Sequence, residues 1–204
     1  FFLCDISCFL SILFYTQKGK SNMKILITQP TSIQMQKAIK LMKKKLEKSS
    51  QNTLQNIFSN MSQAITVEIW DSAKSLVTCA DVKKSEADLF INFNLSGFGQ
   101  STLTDGIAYN LLNCKQIHIL LKDKLPEEKY LAKQLSISMF LYCVDREYCR
   151  YLQKKYPDIP YLKAVEGWKS DEEENSTANH VEALERVIRE VIQLCGMFPS
   201  KSIV

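Results

Sequence analysis

A glycine-containing loop supplies the residue types that a phosphate or sugar site needs. It follows the apolar run Asp88–Asn94 and opens a segment with helical spacing. Glycine tolerates positive φ and lets a ligand approach the backbone closely. The polar residues after the glycines would stand at the N-terminus of that helix, where backbone N–H groups favour an anion. The predicted ligand-binding residues are Asn94, Ser96, Gly97, Gly99, Gln100, Ser101 and Thr102.

The same loop has a structural alternative, a tight strand-to-helix turn in which Ser101 or Thr102 only caps the helix. Asp105, one turn further on, is the catalytic candidate, and it can act as a base only if it faces the cleft. Two other acids, Asp71 and Asp145, end strand-like runs. Each is an acid–base candidate, although capping of the following helix is the favoured role.

The loop after the first predicted strand lacks two phosphate-binding motifs. It comprises Thr28–Ser32 and holds no glycine. A dinucleotide fingerprint and a P-loop both need glycines at this position. His118 alternates within an apolar run, which favours a core histidine over a catalytic one. No cofactor is predicted.

The elements that must position these residues alternate between strand and helix. Such alternation predicts an α/β fold, a single three-layer, doubly wound and mostly parallel sheet of five or six strands, Rossmann-like or flavodoxin-like. Ligands of these sheets bind at the carboxyl ends of the strands. Strands are predicted at 24–29, 66–70, 88–94, 116–122, 136–144 and 161–165, and helices at 33–46, 54–61, 73–84, 101–113, 126–134, 146–156 and 181–195.

Composition places the chain among ordinary globular proteins. It has 204 residues, 46% of them apolar, and a formal net charge of +4. Nucleic-acid binders usually show clustered lysine and arginine and a markedly higher pI, so no nucleic-acid partner is predicted. The basic run Lys43–Lys45, with Lys40 and Lys48 beside it, is interpreted as the solvated face of an amphipathic helix.

Cysteine and histidine usage argues against a metal site. The seven cysteines form no Cys-x-x-Cys pair, and there are two histidines, so no metal ligand set is predicted. Cys79, Cys114, Cys143 and Cys149 lie in or beside apolar runs. They are interpreted as buried, reduced thiols of a cytoplasmic protein.

The chain divides into three predicted parts. Residues 1–22 are apolar at first and are interpreted as leader sequence or a mis-assigned start, because Met23 opens the first strand; a short membrane anchor is the alternative. Residues 23–168 form the α/β domain. Residues 169–204 comprise an acidic linker and a last helix with an apolar stripe that packs on the domain or on a partner.

The stretch from Asp88 to Trp168 resembles the N-terminal half of bacterial glycosyltransferase-like proteins of the spore-coat maturation and capsule type. The resemblance rests on Phe93-Asn94 at a strand end, on Asp145 at another, and on the turn Tyr156–Leu162. It implies a Rossmann-like fold and a sugar or nucleotide-sugar ligand. Those enzymes have two such domains and hold the nucleotide sugar mainly in the second. For one domain, the resemblance implies an acceptor-side half, a subunit that needs a partner, or a domain without catalysis.

Two functional hypotheses follow. The first is a glycosyltransferase-like component that binds a sugar or a phosphate-bearing ligand at the loop after residue 94. The second is a non-catalytic binding or regulatory domain whose last helix docks on a protein partner or on a second copy in a homodimer. The stripe of the last helix, Val181 to Cys195, motivates the second hypothesis.

Overall fold

The computed structural model describes residues 22–49, 64–71, 75, 77–97, 112–121, 125, 128–129, 131 and 138–195. The predicted element at 54–61, and most of those at 101–113 and 126–134, lie outside these residues. The strands are β1 (Asn22–Thr28), β2 (Ala64–Trp70), β3 (Leu89–Phe93), β4 (Lys115–Leu120), β5 (Met139–Cys143) and β6 (Leu162–Ala164). The described helices are α1 (Ile33–Ser49), α2 (Cys79–Ser85), α3 (Arg146–Lys155) and α4 (Ser176–Leu194).

The six strands form one wholly parallel sheet in the order β2-β1-β3-β4-β5-β6. This is the flavodoxin-like doubly wound order, with β6 added at one edge. The predicted α/β fold is confirmed. The strand order reverses between β1 and β3, so the switch point of the sheet lies where these two strands end.

Two apolar layers cover the sheet because successive strand side chains point to opposite faces. On one face, Ile25 and Ile27 of β1 belong to the core that contains the buried sides of α1 and α4. On the other face, Leu26 of β1 and Phe90 of β3 belong to the core under α2 and α3. Burial on both faces explains why β3 and β5 read as continuous apolar runs.

Capping residues fix where the helices begin. Asp145 accepts a hydrogen bond from the backbone N–H of Tyr148 at 2.7 Å, so its predicted role as the cap of α3 is confirmed. The helix predicted at 73–84 begins later, because Thr78 and Asp81 form a capping box at the start of α2. Asp71 precedes that cap by seven positions and does not cap α2, so this expectation was wrong.

The last helix, α4, packs within its own domain. Leu184, Ile188 and Val191 of the predicted stripe are buried in the core that also contains residues of α1 and the sheet. A half-buried polar group reinforces this packing: the Glu190 carboxylate accepts from the hydroxyls of Tyr161 at 2.9 Å and Tyr142 at 3.2 Å, and from Lys163 Nζ at 2.7 Å. The stripe therefore closes the domain's own core.

Candidate functional site

Of the predicted ligand residues, Asn94, Ser96 and Gly97 are described, and they follow β3 directly. The backbone N–H of Ser96 donates to Phe93 O at 3.0 Å and closes a four-residue turn. Both central residues have positive φ, 51° at Asn94 and 54° at Leu95, as in a type I′ turn. Gly99, Gln100, Ser101, Thr102 and the catalytic candidate Asp105 lie outside the described residues.

The left-handed backbone at Leu95 is costly for a side chain with a Cβ, on the order of 1 kcal/mol. Burial offsets that cost, since Leu95 is fully buried in the apolar layer under α2 and α3. Gly97 also has positive φ, 83°, which glycine adopts without strain. The glycines in the sequence thus predicted a turn correctly, whereas nothing in the sequence indicated that Leu95 would anchor it.

Two buried polar side chains tie the ends of β1 and β3 together below the turn. Thr28 Oγ1 donates to Asn92 Oδ1 at 3.0 Å, and Asn92 Nδ2 donates to the carbonyl of Ser96 at 2.8 Å. Phe93 N donates to Thr28 Oγ1 at 3.3 Å. These bonds fix the turn at the switch point, and the carbonyl and N–H of Ser96 are both used inside the turn.

Asn94 connects the end of β3 to the end of β4. Its Oδ1 accepts the backbone N–H of Leu121 at 2.7 Å, and its own backbone N–H donates to Ile119 O at 3.0 Å. The side-chain Nδ2 forms no hydrogen bond with a described residue. Because the oxygen is held in place, this amide presents a fixed donor.

A cleft of about 750 Å³ opens at the carboxyl edge of the sheet. It is bordered by residues that follow β1, β3, β4 and β5, and by the segment after β6. This is the edge at which doubly wound sheets bind ligands. Asn94 belongs to the cleft, whereas Ser96 and Gly97 are not among its lining residues. The described lining comprises Pro30, Thr31, Ser32, Met35, Asn94, Leu121, Val144, Asp145, Trp168, Ser170, Asp171 and Glu172.

The N-terminus of α1 borders the cleft and carries its own anion. Ser32 caps the helix by accepting from Met35 N at 3.1 Å. The hydroxyl of Ser32 in turn donates to Asp171 Oδ2. A helix N-terminus favours negative charge, and here an aspartate of the chain stands beside it. The N-cap of α1 is therefore Ser32.

Trp168 presents the aromatic surface of the cleft, and its orientation is fixed from behind. The ring of His180 stacks on the indole with centroids 4.4 Å apart and planes inclined by 22°. His180 is fully buried, and its Nε2 lies 3.0 Å from Lys169 O and 3.6 Å from Asp171 Oδ1. One face of the indole is thus covered by His180, which restricts a ligand to the remaining face and edge.

Polar side chains of α4 hold the segment that carries Trp168. Asn179 Nδ2 donates to Gly167 O at 2.7 Å, and Asn179 Oδ1 accepts from Lys169 N at 2.9 Å. Arg186 donates to Glu166 O at 2.8 Å. The cleft wall after β6 is therefore built by the last helix. Sequence reasoning ended the α/β domain at Trp168 and placed Asp171 and Glu172 in the acidic linker, and it missed all three as site residues.

The remaining candidates are core groups. His118 is fully buried beside Phe90, and burial lowers its pKa to about 3, so it is neutral at physiological pH. Burial raises the pKa of the Cys114 thiol to about 11, which keeps it protonated. Cys143 and Cys149 are also buried, while Cys79 is half-buried. The burial predicted for His118, Cys114, Cys143 and Cys149 is confirmed, whereas the burial predicted for Cys79 was wrong, because this first residue of α2 is only half-buried.

Within the part of the chain that the structure describes, no group of three or more histidine, cysteine, aspartate or glutamate side chains could hold a metal ion. None of the described helices is both long enough and apolar enough to cross a membrane. No family model, curated protein or solved structure matches the chain.

Proposed function

We propose that the chain binds a neutral sugar in the cleft at the carboxyl edge of its sheet, as a glycosyltransferase-like component. One observation carries the proposal: an oriented indole, Trp168, faces a cavity that also holds a fixed amide donor and carboxylate acceptors. The resemblance to glycosyltransferase-like proteins implies the same ligand class. The proposal is one of binding and assigns no chemical step.

The hydrogen-bonding groups of the cleft suit hydroxyl groups. Asn94 offers Nδ2 as a donor, because its Oδ1 is engaged by Leu121. Asp145 offers its second carboxylate oxygen, because Oδ1 is engaged by the cap of α3. A sugar hydroxyl donates and accepts at once, so adjacent donors and acceptors on a rigid frame bind it well. Both groups come from strand ends whose positions the sheet fixes.

The apolar part of the cleft suits the other side of a sugar ring. Trp168 supplies a flat surface, and Met35, Leu121 and Val144 line the same cavity. A pyranose ring has a face of C–H groups that packs on an aromatic face, which buries apolar area beside satisfied polar groups. The stack on His180 holds the indole before the ligand arrives, which reduces the entropy cost of binding.

Charge favours a neutral sugar over a phosphate-bearing ligand. Three carboxylates line the cleft, Asp145, Asp171 and Glu172, and no basic side chain is among its described lining residues. The N-terminus of α1 already stands beside Asp171. A phosphate would therefore meet like charges, which disfavour association. An acceptor sugar fits this cleft better than a nucleotide-sugar donor.

Single-tryptophan proteins test the proposal. The chain has two tryptophans, Trp70 and Trp168. W70F leaves Trp168 as the fluorophore inside the cleft, and W168F leaves Trp70, which is not among the lining residues. Titration with neutral mono- and oligosaccharides, sugar phosphates, nucleotide sugars and inorganic phosphate should give a saturable emission change for a neutral sugar in W70F and none in W168F.

Two aspartate substitutions in the W70F protein locate the site. N94D retains an acceptor for Leu121 N but removes the amide donor, so affinity should fall about threefold to tenfold. N22D is the matched control at the opposite end of the sheet, on the first residue of β1, and should leave affinity unchanged. If no neutral sugar changes the emission, or if N94D and N22D behave alike, the proposal is wrong.

A further inference from the structure

The outer surface of α1 carries a concentration of positive charge. Its residues recur at helical spacing and all are exposed. Its lysines 37, 40, 44 and 48 form no hydrogen bond or ion pair with a described residue. We call this surface the lysine face of α1, and it comprises Ile33, Lys37, Lys40, Leu41, Lys44 and Lys48.

The position of this face is fixed by the opposite side of the helix. Met35, Ile39 and Met42 of α1 are fully buried against the sheet and α4. The helix therefore cannot rotate, and the lysine face points outward. Two neighbouring lysines behave differently, since Lys45 pairs with Glu185 at 2.7 Å and Lys43 with Glu47 at 3.7 Å. The lysine face is thus a surface distinct from that of the paired lysines.

The charge on α1 accounts for the positive charge of the whole chain. The helix contains six lysines and one glutamate, a formal charge of +5, whereas the complete chain carries +4. A solvated helix of a globular protein usually intersperses both signs. The sequence pattern alone favoured a solvated face, but the four lysines of the lysine face are of one sign, and none of them pairs with a described residue.

Two exposed aliphatic side chains lie among these lysines. Ile33 is 63% exposed and Leu41 is 49% exposed. They are eight residues apart, which is about 12 Å along the helix axis. Lysines flanking aliphatic side chains on one helix face are typical of helices that lie on an anionic membrane surface, where the apolar groups enter below the headgroups.

We propose that the lysine face of α1 docks on an anionic lipid bilayer. Charge complementarity supplies the attraction, and Ile33 and Leu41 supply an apolar contribution that salt does not screen. A nucleic acid is the less suitable partner, because the lysine face has no arginine for bidentate contacts and no aromatic ring for base stacking. This proposal is independent of the sugar site.

The acidic residues after β6 determine which lysines matter most. Asp171 contacts Ser32 at the first turn of α1, so negative charge lies close to that end of the helix. Lys44 lies about 18 Å further along the helix from Ser32, beyond the screening length of about 8 Å at physiological salt. Lys40, Lys44 and Lys48 should therefore contribute most to docking.

Sedimentation of the full chain with vesicles tests the proposal. The vesicles are pure phosphatidylcholine or an equimolar mixture of phosphatidylcholine and phosphatidylglycerol. The test variant is K40Q/K44Q/K48Q, which keeps helix propensity and loses three charges. The matched control is K83Q/K84Q/K154Q, which removes three charges from exposed positions on α2 and α3. Circular dichroism melts establish that both variants are folded.

The expected result is selective binding to the anionic vesicles. Each lysine near an anionic surface contributes roughly fivefold to partitioning, so the α1 variant should bind on the order of a hundredfold more weakly. The control variant should keep most of the binding. Raising the ionic strength from about 0.1 M to about 1 M should weaken binding of the wild type far more than that of the α1 variant.

Three outcomes would overturn the proposal. Failure of the wild-type chain to bind anionic vesicles is the first. Equal losses in the two lysine variants are the second, because they would indicate general charge rather than this face. Equal binding to neutral and anionic vesicles, unaffected by K40Q/K44Q/K48Q, is the third, and would assign binding to the apolar residues 1–15. Within the first outcome, tight binding of single-stranded RNA would assign the face to nucleic acid.

Discussion

Substitution of Asn94 separates the backbone requirement of the β3 turn from its hydrogen bond. Asn94 has φ of 51° and accepts the N–H of Leu121 at 2.7 Å. N94A removes the acceptor and places a Cβ residue without a polar side chain in the left-handed region. N94G also removes the acceptor but adopts positive φ freely. N94D keeps an acceptor and tolerates the left-handed conformation.

The expected losses of unfolding free energy follow from the hydrogen bond to Leu121 and from the left-handed backbone of Asn94. Leu121 is half-buried, and leaving its N–H without an acceptor should cost about 1–2 kcal/mol. The left-handed conformation adds about 1 kcal/mol for alanine relative to glycine. We therefore expect N94A to lose about 2–3 kcal/mol of unfolding free energy and N94G about 1–2 kcal/mol. N94D should stay within about 1 kcal/mol of the wild type.

Urea unfolding followed by far-UV circular dichroism measures these differences. The slopes with urea should agree among the four proteins, so that the midpoints report stability. Equal losses for N94A and N94G would refute the argument about backbone conformation. Wild-type stability of both would refute the argument about the Leu121 hydrogen bond, and would leave Asn94 without a structural role.

Three further results are expected elsewhere in the fold. The Glu128 carboxylate loses solvation on burial, but hydrogen bonds from Lys155 at 2.7 Å and Tyr148 at 2.8 Å outweigh this and lower its pKa. The stabilisation that Glu128 provides is therefore complete above its ordinary pKa of 4.5 and is lost as the pH falls. E128Q should destabilise the protein at pH 7, and its unfolding free energy in urea titrations should fall less steeply toward acid pH than that of the wild type. Parallel pH profiles of the two proteins would contradict this role of Glu128. Y142F removes a buried hydroxyl 3.2 Å from Glu190 and should lose about 1–2 kcal/mol, and an unchanged urea midpoint would contradict this. Cys114, with its pKa raised to about 11, should be alkylated by iodoacetamide at pH 8 only after unfolding, as peptide mass mapping can measure.

The main elements were predictable because their signals are local. The apolar runs of β3 and β5 identify strands buried on both faces, and Asp145 identifies the start of α3. The end of the predicted helix at 73–84 was right to within one residue, but its start was not. The capping box of Thr78 and Asp81 makes the helix begin at Cys79, and the spacing of apolar residues, on which the prediction was based, contains no information about capping.

The candidate site was only partly predictable. Asn94 was identified because a polar residue at a strand end lies where these sheets bind ligands. Trp168 and Asp171 were not, because the stretch after β6 shows no signal except an acidic run that was interpreted as a linker. They reach the cleft through contacts with His180 and Ser32, the latter 139 residues away in sequence.

The sequence by itself determined the alternation of strand and helix, and hence a parallel sheet covered on both faces, because periodicity and capping act over a few residues. The concentration of lysines in α1 could also be read directly from the sequence. Only the tertiary structure decided the strand order, the residues that share the cleft and the outward direction of the lysines. Those properties depend on which distant side chains bury one another, and that choice is made by the free energy of packing the whole domain.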